Sequence, residues 1–405
     1  MNINNPQSVA LPDQRQQRTY QSDFSKSPHT RAKPKPPVEE AITSWFSNLP
    51  PDLVEQTTSI ITHLLSTAPK RWIVYPPMLL LPSGSFEDEQ WRRLQLGGQE
   101  LDSLWEKILE LVGKREGKGK LTHLAINNGI PLLKVGEDKG ENLLRNPTGL
   151  RILYGDFGPS LDHEAVPSRE DLEKAFWVST KQNGIIQIWA PRYTMFSRGN
   201  IKEKARILNF HKTEQQRRSR DASELMEDTA VDLYAGIGYF VFSYVKMGIG
   251  RVIGFELNPW SVEGLKRGAL ANGFSIQIVK SGQSWVPGEE TITIFEEDNA
   301  EAPRRLSEQS PSFLASIRHI NCGLLPSSQG SWEIALGLLT TTGWLHLHEN
   351  VGVNDIELRR GTIRNELTRI LSAKDVEVDV EHVELVKTFA PDVYHCVYDV
   401  YINRQ

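Results

Sequence analysis

Residues Val231–Phe240, VDLYAGIGYF, and Arg251–Pro259, RVIGFELNP, restrict the folds open to this chain more than any other stretch. An apolar run closes on Asp232, and a small-residue turn follows (Tyr234, Ala235, Gly236, Ile237, Gly238) that leads into a helical pattern. A second apolar run, Val252–Phe255, then ends on Glu256. Strand, glycine turn, helix, strand and acidic residue together describe the ligand crevice at the carboxyl edge of a doubly wound parallel sheet. Glycines in such a turn permit close backbone approach. A carboxylate after the second strand can accept hydrogen bonds from both hydroxyls of a ribose.

The turn also narrows the ligand. A dinucleotide fingerprint has a third glycine where this chain has Val241. Two glycines followed by an aromatic suit an uncharged or cationic adenosyl group better than a pyrophosphate, and S-adenosylmethionine (SAM) enzymes use such A-G-x-G loops. Four further constellations carry polar chemistry. Ser197 and Lys204, in SRGNIKEKAR, can hold a carboxylate, or can serve as a loop cap and a solvated helix charge. Asp298 and Asn299 follow the apolar run Ile292–Phe295 and can grip an adenine edge or cap a helix. Asn321, in NCGLLP, ends a strand where backbone carbonyls and an amide can stand beside a sulfonium. His346, His348 and Asn350, in HLHEN, share one strand face by period two. No third ligand at metal spacing accompanies these histidines, so they read as a polar pocket wall or as satisfied strand histidines, with no metal expected.

Composition sets bounds on the rest. The chain has 405 residues, enough for two or three domains, and a net charge of −5, so contact with nucleic acid has to come from a local basic face. The expected face is Arg192 and Arg198, the helix start Lys202–Arg206 and the run Arg217–Arg220. Two cysteines, no apolar span and no signal-peptide core suggest a reducing, cytoplasmic setting without membrane attachment. Residues 1–38 are polar and mildly basic, and are expected to be a disordered tail. Periodicity predicts a helix from Glu39 through Leu65, a strand across Arg71–Pro82 broken by Pro76 and Pro77, and a helix over Gln90–Val112. Short strands and turns follow, then helix and strand alternate from Val231, ending in a helix over Asp355–Ser372 and two adjacent strands.

In combination, the segments MFSRGNIKEKAR, DLYAGIGYF, FELNPWSVEGLKRGALANG, DN, NCGLLPSS and HLHENV resemble the wybutosine-synthesizing aminocarboxypropyltransferases acting on phenylalanine tRNA, relatives of the tRNA guanine-37 N1-methyltransferases. The similarity spans roughly residues 150–404. Two positions depart from that pattern, Glu297 in place of glycine and Cys322 within Asn-Cys-Gly. The resemblance implies an α/β fold: a class I SAM-dependent transferase (Rossmann-like) sheet with a C-terminal β-hairpin, after a smaller α+β N-terminal region. The implied divisions are a tail (1–38), an N-terminal region (39–150), a tRNA-contacting linker domain (151–227) and a SAM-binding catalytic domain (228–405). It places Ser197, Lys204, Glu256, Asp298 and Asn299 around SAM, above the Asp232–Gly238 turn. SAM is then the co-substrate and the tRNA anticodon loop the partner, with no obligate protein partner. The 3-amino-3-carboxypropyl group moves to C7 of 4-demethylwyosine at position 37, with His346 or His348 available for the proton released. Guanine-37 N1-methylation, or RNA binding by an inert SAM fold, are the alternatives.

Overall fold

A computed structural model describes residues 35–404 apart from 52–53, 55–57, 95–97, 130–141, 143, 146, 163–164, 213–217 and 373–374. The expected tail up to residue 34, and Arg217 of the basic run, lie outside the described residues.

Local signals account for the N-terminal part, with two corrections. The helix expected from Glu39 to Leu65 ends at Ser47; Pro51 and Val54 are helical again, and a further helix spans Ile61–Ser66. Pro50 and Pro51 explain the break, since proline lacks the N–H of the helical ladder and disfavours helix in the residue before it. The helix expected over Gln90–Val112 is likewise two, Glu89–Arg93 and Gly98–Glu116. Strands β1 (Ile73–Tyr75) and β2 (Met78–Leu81) form a hairpin whose turn is the cis Pro76–Pro77 pair. With β3 (His123–Ile126) and β4 (Arg151–Tyr154) they make a four-stranded sheet. Trp45, Leu104, Trp105, Ile108 and Leu124 are among the buried residues joining that sheet to its helices.

A second hairpin, β5 (Val178–Gln182) and β6 (Ile185–Trp189), turns through Asn183 (φ 51) and Gly184 (φ 75). Positive φ at both central residues marks the two-residue turn whose twist matches that of paired strands. It bears on the site because β6 packs against the helix Pro259–Ala271, where Asn272 Nδ2 donates to the Ile186 carbonyl at 2.7 Å.

The large sheet comprises β7 (Thr229–Asp232), β8 (Arg251–Phe255), β9 (Ile276–Lys280), β10 (Ile292–Glu296), β11 (Ile317–Cys322), β12 (Gly343–Gly352), β13 (Val376–Ala390) and β14 (Val393–Arg404). Their order is β13-β14-β12-β11-β7-β8-β10-β9, with β14 antiparallel to its neighbours. The segment 276–291, which reads from the sequence as a long approach to Asp298, contributes the edge strand β9, parallel to β10. Period two sorts the two faces. Val231, Ile320, Leu345 and Val400 face the helices Ala302–Ser307, Trp332–Leu338 and Ile356–Leu371. Ala230, Val252, Ile294 and Trp344 face the helices Ile201–Leu208, Val241–Met247 and Pro259–Ala271. Strand order reverses between β7 and β11, so their carboxyl ends border the crevice that this topology opens to ligands. The tip of the β13–β14 hairpin lies at the same edge, because Gly352 at the end of β12 pairs with Val393.

Candidate active site

The glycine turn is shaped first by its own packing. Gly238 has φ +88, and a Cβ there would stand 2.6 Å from the Phe242 ring. Gly236 has φ +54 and faces the Tyr239 ring. These glycines are therefore demanded by backbone conformation and by neighbouring aromatics. Below the turn, a Cβ on Gly254 would lie 2.9 Å from that of Ala235, so glycine in β8 brings the turn down onto the strand that ends at Glu256.

Glu256 locks onto that turn. Gly236 N donates to its Oε2 and Asn258 N to its Oε1, both at 2.8 Å. Each oxygen keeps a second lone pair for a hydroxyl. Burial pushes the carboxyl up to about 7, against the pull of these backbone donors. Asp232 is fully buried; its Oδ1 accepts from Tyr234 N at 3.1 Å and Asn321 Nδ2 at 3.0 Å. Among the described residues its Oδ2 and the Oδ1 of Asn321 have no partner, so two acceptors sit together unfilled at the switch point. Burial raises the Asp232 carboxyl to about 6. Asn299 Nδ2 donates to the Leu233 carbonyl at 2.9 Å and so closes the turn from the β10 side, while Asp298 is exposed and caps Ala300 N at 2.8 Å. Glu297 is buried in an ion pair with Arg305, which supplies the counter-charge its burial requires.

Tyr239 joins the glycine turn to the more distant candidates. Ser197 N donates to its hydroxyl at 2.9 Å, and Lys204 Nζ lies 5.5 Å from its ring and 4.7 Å from that of Phe196. Lys204 is only 2% exposed and donates to Gln182 Oε1 (2.7 Å) and Gln187 Oε1 (2.9 Å). Burial pushes its ammonium down to about 7. It is thus a buried amine held by two neutral side-chain acceptors, which excludes the solvated helix charge. The lysine beside the Ser197 hydroxyl is Lys387, at 3.4 Å.

The NCGLLPSS segment is pinned to β12. Ser327 Oγ (2.9 Å) and Ser328 N (3.2 Å) donate to Glu349 Oε1, Arg359 donates to Glu349 Oε2 (3.1 Å), and Asn350 N donates to the Pro326 carbonyl (2.8 Å). Arg145 donates to the Leu325 carbonyl. The two histidines of HLHEN differ sharply. His346 Nδ1–H donates to Asp399 Oδ1 at 2.7 Å, which leaves its Nε2 to accept from His319 Nδ1–H at 3.0 Å. His319 Nε2 then accepts from His211 Nε2–H at 2.9 Å. His346 has no nitrogen to spare. His348 Nδ1 pairs with His395 Nε2 at 3.0 Å, and its Nε2 is unpartnered.

The expected basic face needs correction. Lys202 pairs with Glu384 (2.7 Å), Arg206 with Glu203 (2.6 Å) and Asp399 (2.5 Å), Arg218 with Glu381 (2.7 Å) and Arg220 with Asp228 (2.5 Å). Three of these carboxylates, Glu384, Asp399 and Glu381, come from distant sequence, so those cations look free in a linear reading. Arg198 stays exposed, and Arg192 is half-buried with a 3.3 Å contact to the Ser160 hydroxyl. Asp399 and Lys387 carry no local signal in the sequence, and Tyr239 carries one only as the aromatic next to the glycine turn.

No model of a known protein family matches the chain. It is 41% identical over 336 residues to tRNA wybutosine-synthesizing protein 2 of Schizosaccharomyces pombe, covering 82% of this chain and 72% of that protein. It is 37% identical over 379 residues to the Saccharomyces cerevisiae protein of the same name, covering 84% and 75%. Among solved structures, P. horikoshii TYW2 in complex with MeSAdo has a TM-score of 0.54 and 17% identity, over 88% of this chain and 99% of that one. Trm5b from Pyrococcus abyssi has a TM-score of 0.53 and 14% identity, over 85% and 78%. At such identities these two likenesses speak for the fold alone.

Proposed function

The chain belongs to the tRNA wybutosine-synthesizing protein 2 family, and on that premise we propose that it transfers the 3-amino-3-carboxypropyl group of SAM to C7 of 4-demethylwyosine at position 37 of phenylalanine tRNA. The observation that carries this reading is the intact turn from Asp232 to Gly238 clasped by Glu256, within a chain 41% identical to a family member. Residues 228–405 hold SAM, residues 151–227 meet the tRNA, and the protein works in the cytoplasm.

The ribose hydroxyls take the free lone pairs of Glu256, and the adenine edge meets Asp298 and Asn299. Asp232 Oδ2 and Asn321 Oδ1, two acceptors without donors, receive the α-ammonium of the arm. Ser197 and Lys204 act on the same ligand through Tyr239 and the turn it follows. Every carbon on a sulfonium is electrophilic, so orientation selects Cγ over the methyl. The C7–Cγ bond forms as Cγ–S breaks, the electron pair stays on sulfur, and methylthioadenosine leaves neutral. The displaced C7 proton goes to His348 Nε2 or to water. The base has to leave its stack in the anticodon loop to reach the crevice.

Incubation with SAM and substrate tRNA, followed by mass spectrometry of the small product, tests the proposal. Methylthioadenosine is expected. S-adenosylhomocysteine would instead identify a methyltransferase, and neither product would leave a SAM fold without this chemistry.

A further inference from the structure

SAM contacts assigned to Glu256 and to Asp298–Asn299 lie at the ends of β8 and β10, on one side of the switch point. The other side, over β12, β14 and β13, holds buried polar atoms of which the reading above uses only His348 Nε2. Asn350 follows His348 by two residues on the same face of β12 and stands opposite His395 of β14, which in turn stands opposite Lys387 of β13. Among the described residues, neither amide atom of Asn350 has a partner, nor has His348 Nε2 or His395 Nδ1. Both histidines are essentially unexposed, at 1% and 0%. Lys387 is half-buried and has the Ser197 hydroxyl near it, with no carboxylate at ion-pair distance among the described residues. The group adjoins the glycine turn, because the Phe240 ring lies edge-on to His348 with centroids 5.1 Å apart.

Buried polar groups without partners cost free energy, so this cluster is suited to a ligand that supplies them. The Asn350 amide offers a donor and an acceptor side by side, and so can engage two neighbouring atoms of opposite hydrogen-bonding character on the edge of a base. The His348–His395 pair shares one proton, so it presents a donor at one outer nitrogen and an acceptor at the other. Lys387 lacks an anion. A flat base with a donor and an acceptor adjacent on one edge, attached to its own phosphate, answers all three requirements.

We propose that Asn350, His348, His395 and Lys387 form the acceptor-nucleotide subsite, with Asn350 reading the base edge and Lys387 holding an adjoining backbone phosphate. The subsite rests on the function proposed above and assigns Asn350 and Lys387 specificity and anchoring roles within it.

The test measures binding of two tRNAs, one carrying the tricyclic base at position 37 and one carrying guanosine there, with methylthioadenosine present to prevent turnover. SAM affinity by calorimetry reports on the fold of each variant. Wild-type protein should prefer the tricyclic base, and Asn350→Ala should reduce that preference about tenfold. Asn350→Ser takes its place if the alanine variant fails to bind SAM. Lys387→Met should weaken both tRNAs alike and lower the slope of log affinity against log salt by about 0.7–0.9. Unchanged preference in the Asn350 variants overturns the subsite. So does a Lys387→Met variant that loses SAM affinity while keeping tRNA affinity, since the anion would then be the carboxylate of SAM. Methylthioadenosine release by the wild-type protein separates these outcomes from failure of the proposed function.

Discussion

Glu256 illustrates how one residue can serve a site while straining the fold. Its carboxyl is raised to about 7 by burial, against about 4.5 in the unfolded chain. The folded state therefore holds a proton that the unfolded state releases, and this contribution to stability is present at low pH and lost as pH rises through 7. Glu256→Gln removes that titration. The ligand-free variant should gain in melting temperature relative to wild type as pH is raised from 5 to 8, and a pH-independent difference would contradict this. SAM affinity should fall by about 2 kcal/mol, roughly 30-fold, since a charged acceptor is replaced by a neutral one.

At the scale of elements, the helix Ile201–Leu208 is fastened to the sheet by Arg206. Its guanidinium bridges Glu203 on its own helix and Asp399 on β14, and the latter also accepts from His346. Burial works against the Asp399 carboxylate, but Arg206 and His346 together hold it down to about 2. Arg206→Met would leave two buried carboxylates without a counter-charge. Removing one partner of a buried pair costs about 3–5 kcal/mol, so a large fall in the denaturation midpoint is expected. Arg206→Lys should restore little of it, because an ammonium cannot reproduce the planar two-sided contact. Near-wild-type stability of either variant would show that the helix is held by its apolar face, with Ile207 in the core. The amphipathic pattern of this helix was readable in NIKEKARIL; that its cations are structural was not, since Asp399 lies 193 residues away.

Across the whole molecule, buried imidazoles set the response to acid. Burial drives His211 and His395 down to about 4, and lowers His319 and His348 well below the usual range. Between about pH 6.5 and 4 the unfolded chain binds protons at these sites that the folded chain refuses, so stability falls with pH. Asp228, Asp232, Glu256 and Glu296, raised by burial, act in the opposite sense over part of that window. Carboxylates whose ion pairs hold them low, Asp399, Glu297 and Glu384 among them, lose stability in acid as the imidazoles do and tip the balance. The urea midpoint of the ligand-free protein should drop between pH 7 and pH 4.5, and a flat or rising profile would refute this account.

The turn at the switch point and the acid that clasps it were legible because their signals are local. A strand that must end at a tight turn, glycines at positive φ and an acid closing the next strand all lie within one β-α-β unit of sequence. The C-terminal helix and hairpin were legible for the same reason, and Ser168 likewise announces the capped helix Arg169–Lys174. What residues carry once buried was decided by tertiary structure. Nothing local tells His346, with both nitrogens engaged, from His348, with one unfilled, since they alternate on the same strand. Nor could composition show that Lys202, Arg218 and Arg220 are neutralised while Lys387 keeps its charge uncompensated. Electrostatic partners are chosen by distance in space, and β13 and β14 bring residues to the crevice from nearly 200 positions away.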